Sequence, residues 1–309
     1  MNYLVTGGAG FIGSHITDAL IKNDNQVIVV DDLSYGKRDN VNTNAEFHQL
    51  SISNRQEIEK LCNEYSIEGI FHLGAIASVQ KSVENPELIH QVNLSGTLNI
   101  LLAAKNSGVN KVVFSASAAA YGNNPSFPKK ESMLPNPLSP YAVTKLSGEM
   151  YCKTFTDLYG LKTVALRYFN VYGPRQDPKS EYAAVIPAFI TKYLAGEQLI
   201  IYGDGKQTRD FVYVQDVVQG NLLAMEKDTC GVFNIGTGCQ TSLNQIIIIL
   251  KELTNTHIKV KYLEPRVGDV HDSVADISLA TKHLNYYPKY SIKEGLNKTL
   301  EFFASKKDS

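Results

Sequence analysis

Short β-branched and apolar runs alternate along the first half of the chain with longer stretches of helical character. The spacing predicts strands over 3–5, 26–30, 69–72, 111–115 and 163–168, and helices over 12–22, 54–65, 86–107 and 142–159. Strand and helix in repetition point to βα units on a parallel, doubly wound sheet, for which six strands are expected, five of them at these ranges. After Asn170 the texture changes. Pro174, Pro178 and Pro187 interrupt it, the Gly203-Asp204-Gly205 turn precedes a strand over 211–214, and helices are expected over 183–195, 215–226 and 242–254. The fold class expected is α/β, a doubly wound parallel sheet with a smaller C-terminal α/β lobe. That lobe would lie across the carboxyl ends of the strands, where open sheets of this kind bind ligands. Residues 1–170 would form the first domain, also receiving segments around 211–236, and residues 171–309 most of the second.

Composition narrows the function classes. At about 150 residues per domain, 309 residues suit two domains, or one large α/β domain carrying an appended part. Hydrophobic residues at 43% and charged ones at 20% are ordinary for a globular chain and exclude a largely disordered one. A net charge of −1 argues against a nucleic-acid or membrane-surface binder held by bulk charge. Cys62, Cys152, Cys230 and Cys239 form no CxxC pair, and the histidines form no HxxxH or HExxH. Neither a disulfide framework nor a metal site is expected. No apolar run approaches the roughly 18 residues of a membrane span, and a cytoplasmic location is expected.

Thr6-Gly7-Gly8-Ala9-Gly10-Phe11-Ile12-Gly13 follows a strand and opens a helix, the setting in which a glycine loop cradles phosphate. Gly7 permits the turn, Gly10 lets a diphosphate approach the helix end, and Gly13 lets helix and strand pack closely. Asp31 ends the second strand about twenty residues further on, as a carboxylate for a ribose diol would. It would repel a 2′-phosphate, so the pair favours NAD over NADP; a turn cap ahead of Asp32 and Ser34 is the other reading. Such a cofactor brings hydride chemistry.

Tyr141 and Lys145 stand four residues apart, on one face of the helix over 142–159. A neighbouring ammonium and a positive nicotinamide would pull the phenol below its usual pKa and make it a base near neutral pH. With 17 Tyr and 24 Lys, about one such pair arises by chance, and Tyr202 to Lys206 is a second. That copy spans a glycine turn, so its side chains need not share a face. Tyr141 instead follows the loop Pro135-Asn136-Pro137-Leu138-Ser139-Pro140 and lies downstream of Ser115 and Ser117 at a strand end. Either serine can hydrogen-bond a hydroxyl being oxidised or simply fill a crowded junction.

Taken together, Gly7-x-x-Gly10-x-x-Gly13, Asp31, Phe71-His72-Leu73-Gly74-Ala75, Ser117, Tyr141-x-x-x-Lys145, Leu166-Arg167-Tyr168-Phe169-Asn170, Arg209-Asp210-Phe211 and Arg266-x-Gly268-Asp269 resemble the extended short-chain dehydrogenases that act on nucleotide sugars. The match spans nearly the whole chain and is strongest to the UDP-hexose 4-epimerases; 138–145, 167–178 and 182–187 resemble their UDP-N-acetylglucosamine branch. The resemblance implies a Rossmann-type domain and a redox cycle at sugar C4. Tyr141 would take the 4-hydroxyl proton while C4 gives its hydride to NAD, Ser117 would orient the oxygen, and Lys145 would hold the cofactor ribose. It also implies a cofactor site made of Gly7, Gly10, Phe11, Ile12, Gly13, Asp31, Ser34, Ser51, Ile52, Leu73, Gly74, Ala75, Asn93, Ser115, Tyr141, Lys145 and Tyr168. Ser51 departs from the family's usual acidic residue for the adenine amine, Gly74 replaces an alanine, and Ala77 a lysine of some glucose epimerases.

On the substrate side the resemblance places Arg209 and Arg266 on the diphosphate, Asn170 on the diphosphate or sugar, and Asp269 on the uridine ribose. Ala184, Val185 and Phe189 would meet the uracil, with Tyr202 beside them and Ser273 near the sugar C2 substituent. A serine at that last position leaves room for an N-acetyl group. UDP-GlcNAc/UDP-GalNAc are the expected substrates, with UDP-Glc/UDP-Gal alongside. Ala118, Ala119 and Ala120 replace the carboxylic acid that related dehydratases and decarboxylases carry after the catalytic strand. UDP-glucuronate 4-epimerase, another nucleotide-sugar reductase and an NAD-sensing module remain the alternatives. The helices near 90–105 and 143–158 match those that pair as a four-helix bundle in family dimers, so a homodimer is expected.

Overall fold

The computed structural model describes residues 1–178, 185–256, 258–265 and 272–307. The first half runs β1 (Asn2–Thr6), α1 (Phe11–Lys22), β2 (Gln26–Asp31), β3 (Glu46–Gln49), α2 (Arg55–Glu64) and β4 (Gly69–His72). It continues through α3 (Val79–Glu84), α4 (Pro86–Ile89), a π-helical turn over His90–Ser95, α5 (Gly96–Asn106), β5 (Lys111–Ser117), α6 (Pro140–Tyr159) and β6 (Lys162–Tyr168). The second half holds β7 (Asn170–Tyr172), α7 (Val185–Leu194), β8 (Leu199–Tyr202), β9 (Thr208–Arg209), β10 (Phe211–Tyr213), α8 (Val214–Glu226) and β11 (Gly231–Ile235). It closes with β12 (Thr241–Ser242), α9 (Leu243–Thr254), β13 (Val260–Leu263), α10 (Ser278–Leu284) and α11 (Ile292–Lys307).

The main sheet has seven strands in the order β11-β6-β5-β4-β1-β2-β3, every neighbouring pair parallel. This corrects the expected six. β3 reads Glu-Phe-His-Gln, an edge strand exposed at both ends that leaves no apolar run to detect. β11 reaches the sheet from the second half, pairing Gly231–Ile235 with Val164–Tyr168 of β6. The helix expected over 86–107 runs without interruption from Pro86 to Asn106 and carries a π-helical stretch at His90–Ser95. The strand expected over 211–214 ends at Tyr213 and pairs with β7 outside the main sheet.

Strand residues alternate between two apolar layers, as a sheet covered on both faces requires. Val5, Val29, Phe71, Val113 and Leu166 face one side with Ile16 of α1 and Val217 of α8. Leu4, Ile28, Ile70, Val112 and Ala165 face the other, against α2, α5 and α6 through Ile58, Ile100 and Cys152. Each such fully buried aliphatic contributes about 1.5–3 kcal/mol. A third core fills the second lobe, where α7, β8 and α9 meet through Ile186, Ile190, Ile201, Ile246 and Leu250. Among the described residues, no helix is long and apolar enough to cross a membrane.

Candidate active site

β1 ends in Thr6 and the chain turns at Gly7, whose φ of +70° suits glycine. A Cβ on Gly13 would lie 2.2 Å from the Gly7 carbonyl oxygen, so α1 packs on the loop only because that atom is missing. Gly10 caps α1 without a side chain, leaving the first amides of the helix directed at the loop. From this point a cleft of about 830 Å³ crosses the carboxyl ends of the central strands.

The cleft gathers nearly all the residues expected to hold a dinucleotide. Gly7, Gly10, Phe11, Ile12, Gly13, Asp31 and Ser34 line one part, and Ile52, Leu73, Gly74, Ala75, Ser115, Tyr141, Lys145 and Tyr168 the rest. Asp31 is buried at the end of β2, accepting hydrogen bonds from the amides of Ala9 at 3.0 Å and Leu33 at 2.9 Å. Burial pushes its carboxyl pKa up and the two donors pull it back. The glycine cradle and the buried carboxylate across from it fit a dinucleotide with a free ribose diol.

Two of the expected cofactor residues are not among those lining the cleft. Ser51 lies outside the cleft lining; its hydroxyl accepts from the Ser53 amide and hydroxyl in a local turn. Asn93 is buried behind the wall rather than in it. From the π-helical turn its carboxamide accepts from the Ile76 amide at 2.8 Å and donates to the Ile76 carbonyl at 3.1 Å. It shapes the cleft by fixing Ile76, which does line it. A parallel support comes from His72, buried and held neutral with its pKa lowered to about 3. The Thr97 hydroxyl donates to the Asn93 carbonyl, so its oxygen accepts from His72 Nε2, leaving Nδ1 to accept from Thr6 Oγ1. Thr6 Oγ1 in turn accepts from the Gly74 amide at 3.2 Å.

The catalytic group sits where β5 and α6 meet. Ser139 caps α6, its hydroxyl accepting from the Ala142 amide, and Pro140 occupies the first turn. That fixes the helix start and turns Tyr141 and Lys145 to the same side. Lys145 is buried, its ammonium donating to the Ser115 carbonyl at 2.7 Å and the Ser115 hydroxyl at 3.3 Å. Ser117 ends β5; its hydroxyl accepts from the Ala119 amide at 3.1 Å and hydrogen-bonds the Tyr141 phenol. Ser115 therefore serves the lysine and Ser117 the tyrosine.

The expected lowering of the Tyr141 pKa is not supplied by these protein groups. Burial raises it, and the Ser117 hydrogen bond only partly offsets the rise. Lys145 is committed to Ser115, and its own pKa is lowered to about 8 by burial, against the opposing pull of Glu149 and Cys152. Folded Lys145 thus loses its proton near pH 8, whereas the unfolded side chain keeps it to about pH 10.4. Between those values the unfolded state binds the extra proton, so this residue makes stability rise with pH through the window. Urea unfolding of the cofactor-free protein at pH 7.5 and pH 10 should show wild type gaining on Lys145→Met; a constant difference would contradict the assignment.

One helical turn beyond Lys145, Glu149 takes a bidentate pair from Arg167 at 2.9 and 2.7 Å, with both side chains 4% exposed. Arg167 also lies 4.7 Å from the Tyr121 ring centroid. The pair locks α6 to β6 beneath the catalytic residues. The motif containing Arg167 is visible in the sequence, but its partner Glu149 carries no local signal.

In the second lobe, the Asn170 amide donates to the Asp210 carbonyl at 3.0 Å and the Ser273 amide to the Thr208 carbonyl at 3.2 Å. Asn170, Arg209 and Ser273 are thereby brought to one edge, while Tyr202 ends β8. Buried Asp210 accepts from Thr237, Gly238 and Ala275, tying the strand that carries Arg209 to the segment that carries Ser273. Val185 starts α7, partly buried. Phe189 is 3% exposed within the lobe's core. Ala184, Arg266 and Asp269 lie outside the described residues. Among the described residues, no cluster of His, Cys, Asp or Glu is arranged to hold a metal ion.

Known proteins share this arrangement. The NAD dependent epimerase/dehydratase family profile matches residues 3–236. A putative UDP-glucose 4-epimerase from Methanocaldococcus jannaschii is 43% identical over 300 residues, covering 97% of each chain. The structure of UDP-glucose 4-epimerase from Thermotoga maritima with UDP-glucose is similar with a TM-score of 0.95 at 48% identity, over 99% of both chains. That of UDP-N-acetylglucosamine 4-epimerase from Methanobrevibacter ruminantium in complex with UDP-N-acetylmuramic acid is similar with a TM-score of 0.95 at 44% identity, over 99% of this chain and 98% of that one. The chain belongs to the NAD-dependent epimerase/dehydratase family.

Proposed function

We propose that the protein is a UDP-hexose 4-epimerase that interconverts UDP-GlcNAc and UDP-GalNAc, and UDP-Glc and UDP-Gal alongside them. The observation that carries this reading is that Tyr141 and Lys145 line the dinucleotide cleft, with Ser117 at the end of β5 and Ala118, Ala119 and Ala120 in the turn that follows it. An alcohol oxygen can be deprotonated there, and no carboxylic acid of that turn can expel water. NAD, when bound, supplies a reversible hydride acceptor next to the sugar C4. Tyr141 takes the 4-hydroxyl proton and later returns it, and Ser117 orients the same oxygen. Lys145 holds the cofactor ribose from the helix side. Arg209, with Arg266, anchors the diphosphate so that the 4-keto sugar can turn over about its linkage and be reduced on its other face.

Residues 1–170, with the segment around 211–236, act as the NAD-binding unit, and residues 171–309 supply most of the UDP-sugar lobe. The protein works in the cytoplasm as a homodimer. Val143, Met150, Tyr151 and Leu158 recur on one face of α6 and remain exposed, with Val83 and Leu88 beside them in α3 and α4. Such a stripe suits a second copy pairing through a four-helix bundle, and light scattering should return twice the chain mass; a monomer mass would refute it.

Proton NMR of the C4 stereochemistry with UDP-GlcNAc, UDP-Glc and UDP-glucuronate in parallel tests the substrate reading. Turnover of the first two supports it. Turnover of UDP-glucuronate alone would replace it with a uronate epimerase, and dependence on stoichiometric NAD(H) would point to a reductase.

A further inference from the structure

Lys145 is a buried cation without a bonded counter-charge. Its ammonium donates to the Ser115 carbonyl at 2.7 Å and the Ser115 hydroxyl at 3.3 Å, and it lies 5.1 Å from the Phe114 ring centroid. All three partners are neutral. A lone cation in such a place tends to shed its proton. The same side chain lines the cleft, where an ammonium donates to a ribose hydroxyl more strongly than a neutral amine does.

The elements packed around Lys145 hold few charges that can help it. On α6, burial raises the Tyr141 phenol and the Cys152 thiol, so both stay neutral, while Lys153 and Asp157 pair with each other in solvent. From β4, His72 is neutral, its pKa lowered to about 3. From β6, burial raises the Tyr168 phenol, which donates to Asn221 at 2.8 Å; in the turn after β5, burial pushes the Tyr121 phenol up to about 12. Lys111 and Lys162 stand at the far, amino ends of β5 and β6. Lys81 of α3 turns to the Tyr35 hydroxyl at 3.2 Å. Glu84, Glu87, His90 and Lys105, along α3 to α5, are exposed. What remains is the buried pair of Glu149 and Arg167, each 4% exposed.

Glu149 stands one helical turn beyond Lys145, a spacing at which side chains of a helix are neighbours, about 5–6 Å apart at Cβ. The bidentate bonds from Arg167 at 2.9 and 2.7 Å keep its carboxylate from swinging away. Were the pair there only to fasten α6 to β6, two apolar side chains would do as well, since burying two ions consumes most of their attraction. We propose that Glu149, fixed by Arg167, is a positioning residue that acts through Lys145, supplying the negative charge that keeps the buried ammonium protonated and able to donate to the cofactor. The proposal rests on the cleft being the NAD site, and it gives Glu149 no contact with sugar or cofactor. The pull of Glu149 opposes the burial that brings Lys145 to about 8. Without that pull, the proton is partly lost at neutral pH.

The test follows the Lys145 Cε signal by carbon-13 NMR across pH, in purified holoenzyme carrying labelled lysine, with Lys145→Met identifying the signal. The pH profile of kcat for C4 inversion is recorded beside it. Glu149→Gln, an isosteric change, is expected to move the Lys145 midpoint down by about one pH unit. Activity then falls about fivefold at pH 8 and hardly at pH 6. Because that variant leaves the Arg167 charge buried and unpaired, Glu149→Gln/Arg167→Met is measured as well; it leaves no ion in that layer and is expected to show the same lowered midpoint. Arg167→Lys keeps a cation on the carboxylate and is expected to stay near the wild-type midpoint. A role confined to packing would lower kcat by one factor at every pH and leave the midpoint in place; that result in the double variant would overturn the proposal. So would the same fall in Arg167→Lys as in Glu149→Gln. The NMR midpoint is read without turnover, so a protein that epimerises no UDP-sugar yet shows the expected shifts would strike only the function reading.

Discussion

Tyr141→Phe is expected to slow C4 inversion about a thousandfold while the cofactor remains bound. The change removes one oxygen and keeps the ring that lines the cleft. No other group of the constellation can take over the proton. Lys145 is held by Ser115, and the Ser117 hydroxyl already accepts from the Ala119 amide while it bonds the phenol. Ser117→Ala should cost less, since it removes orientation and one hydrogen bond but leaves the base. Steady-state rates by NMR, together with the NAD content of the purified variants, check both; a Tyr141→Phe protein within tenfold of wild type would remove the tyrosine from the mechanism. Because burial holds the phenol above its usual range, the protein alone does not create the base. The positive nicotinamide ring, when present, is the lowering influence that Lys145 in this geometry does not supply.

Ser273→Tyr is expected to depress turnover of UDP-GlcNAc about a hundredfold and that of UDP-Glc much less. Rigidity of the backbone adds to the size of the ring. The Ser273 amide donates to the Thr208 carbonyl, the Val274 carbonyl accepts from the Lys129 amide at 2.8 Å, and the Ala275 amide donates to buried Asp210 at 3.1 Å. Pinned on successive residues, this backbone cannot withdraw to make room for both a phenol ring and an N-acetyl group. Ratios of kcat/KM for the two sugars measure the effect. Equal losses for both would show that the position does not select at C2.

The glycine loop and Asp31 were legible because their spacing maps directly onto a strand end, a helix start and the next strand end. The Tyr141 and Lys145 pair was legible only through its surroundings. Tyr202 and Lys206 have the same spacing, but Tyr202 ends β8 and Lys206 stands beyond a glycine turn beside Asp204, exposed to solvent. The bonds of Asn93 to Ile76 are not legible, because a carboxamide facing a backbone two elements away looks no different in sequence from one facing a ligand. The contacts of Tyr35 with Lys81, of Arg175 with Asp18 and of Glu149 with Arg167 join residues distant in sequence or on different elements, so no local period announces them. β3 escaped because a half-exposed edge strand needs no apolar alternation. The packing of Phe189 into the lobe's core is likewise not announced by its place in the sequence.

The central claim is that C4 is inverted by removing and returning the same hydride on a cofactor the protein keeps. UDP-GlcNAc carrying deuterium at C4, incubated with the purified protein without added NAD, tests it most directly. The account predicts that UDP-GalNAc appears with the deuterium still at C4 and that the label survives repeated interconversion. Loss of the deuterium to solvent, or inversion only when NAD is added in stoichiometric amounts, would contradict it.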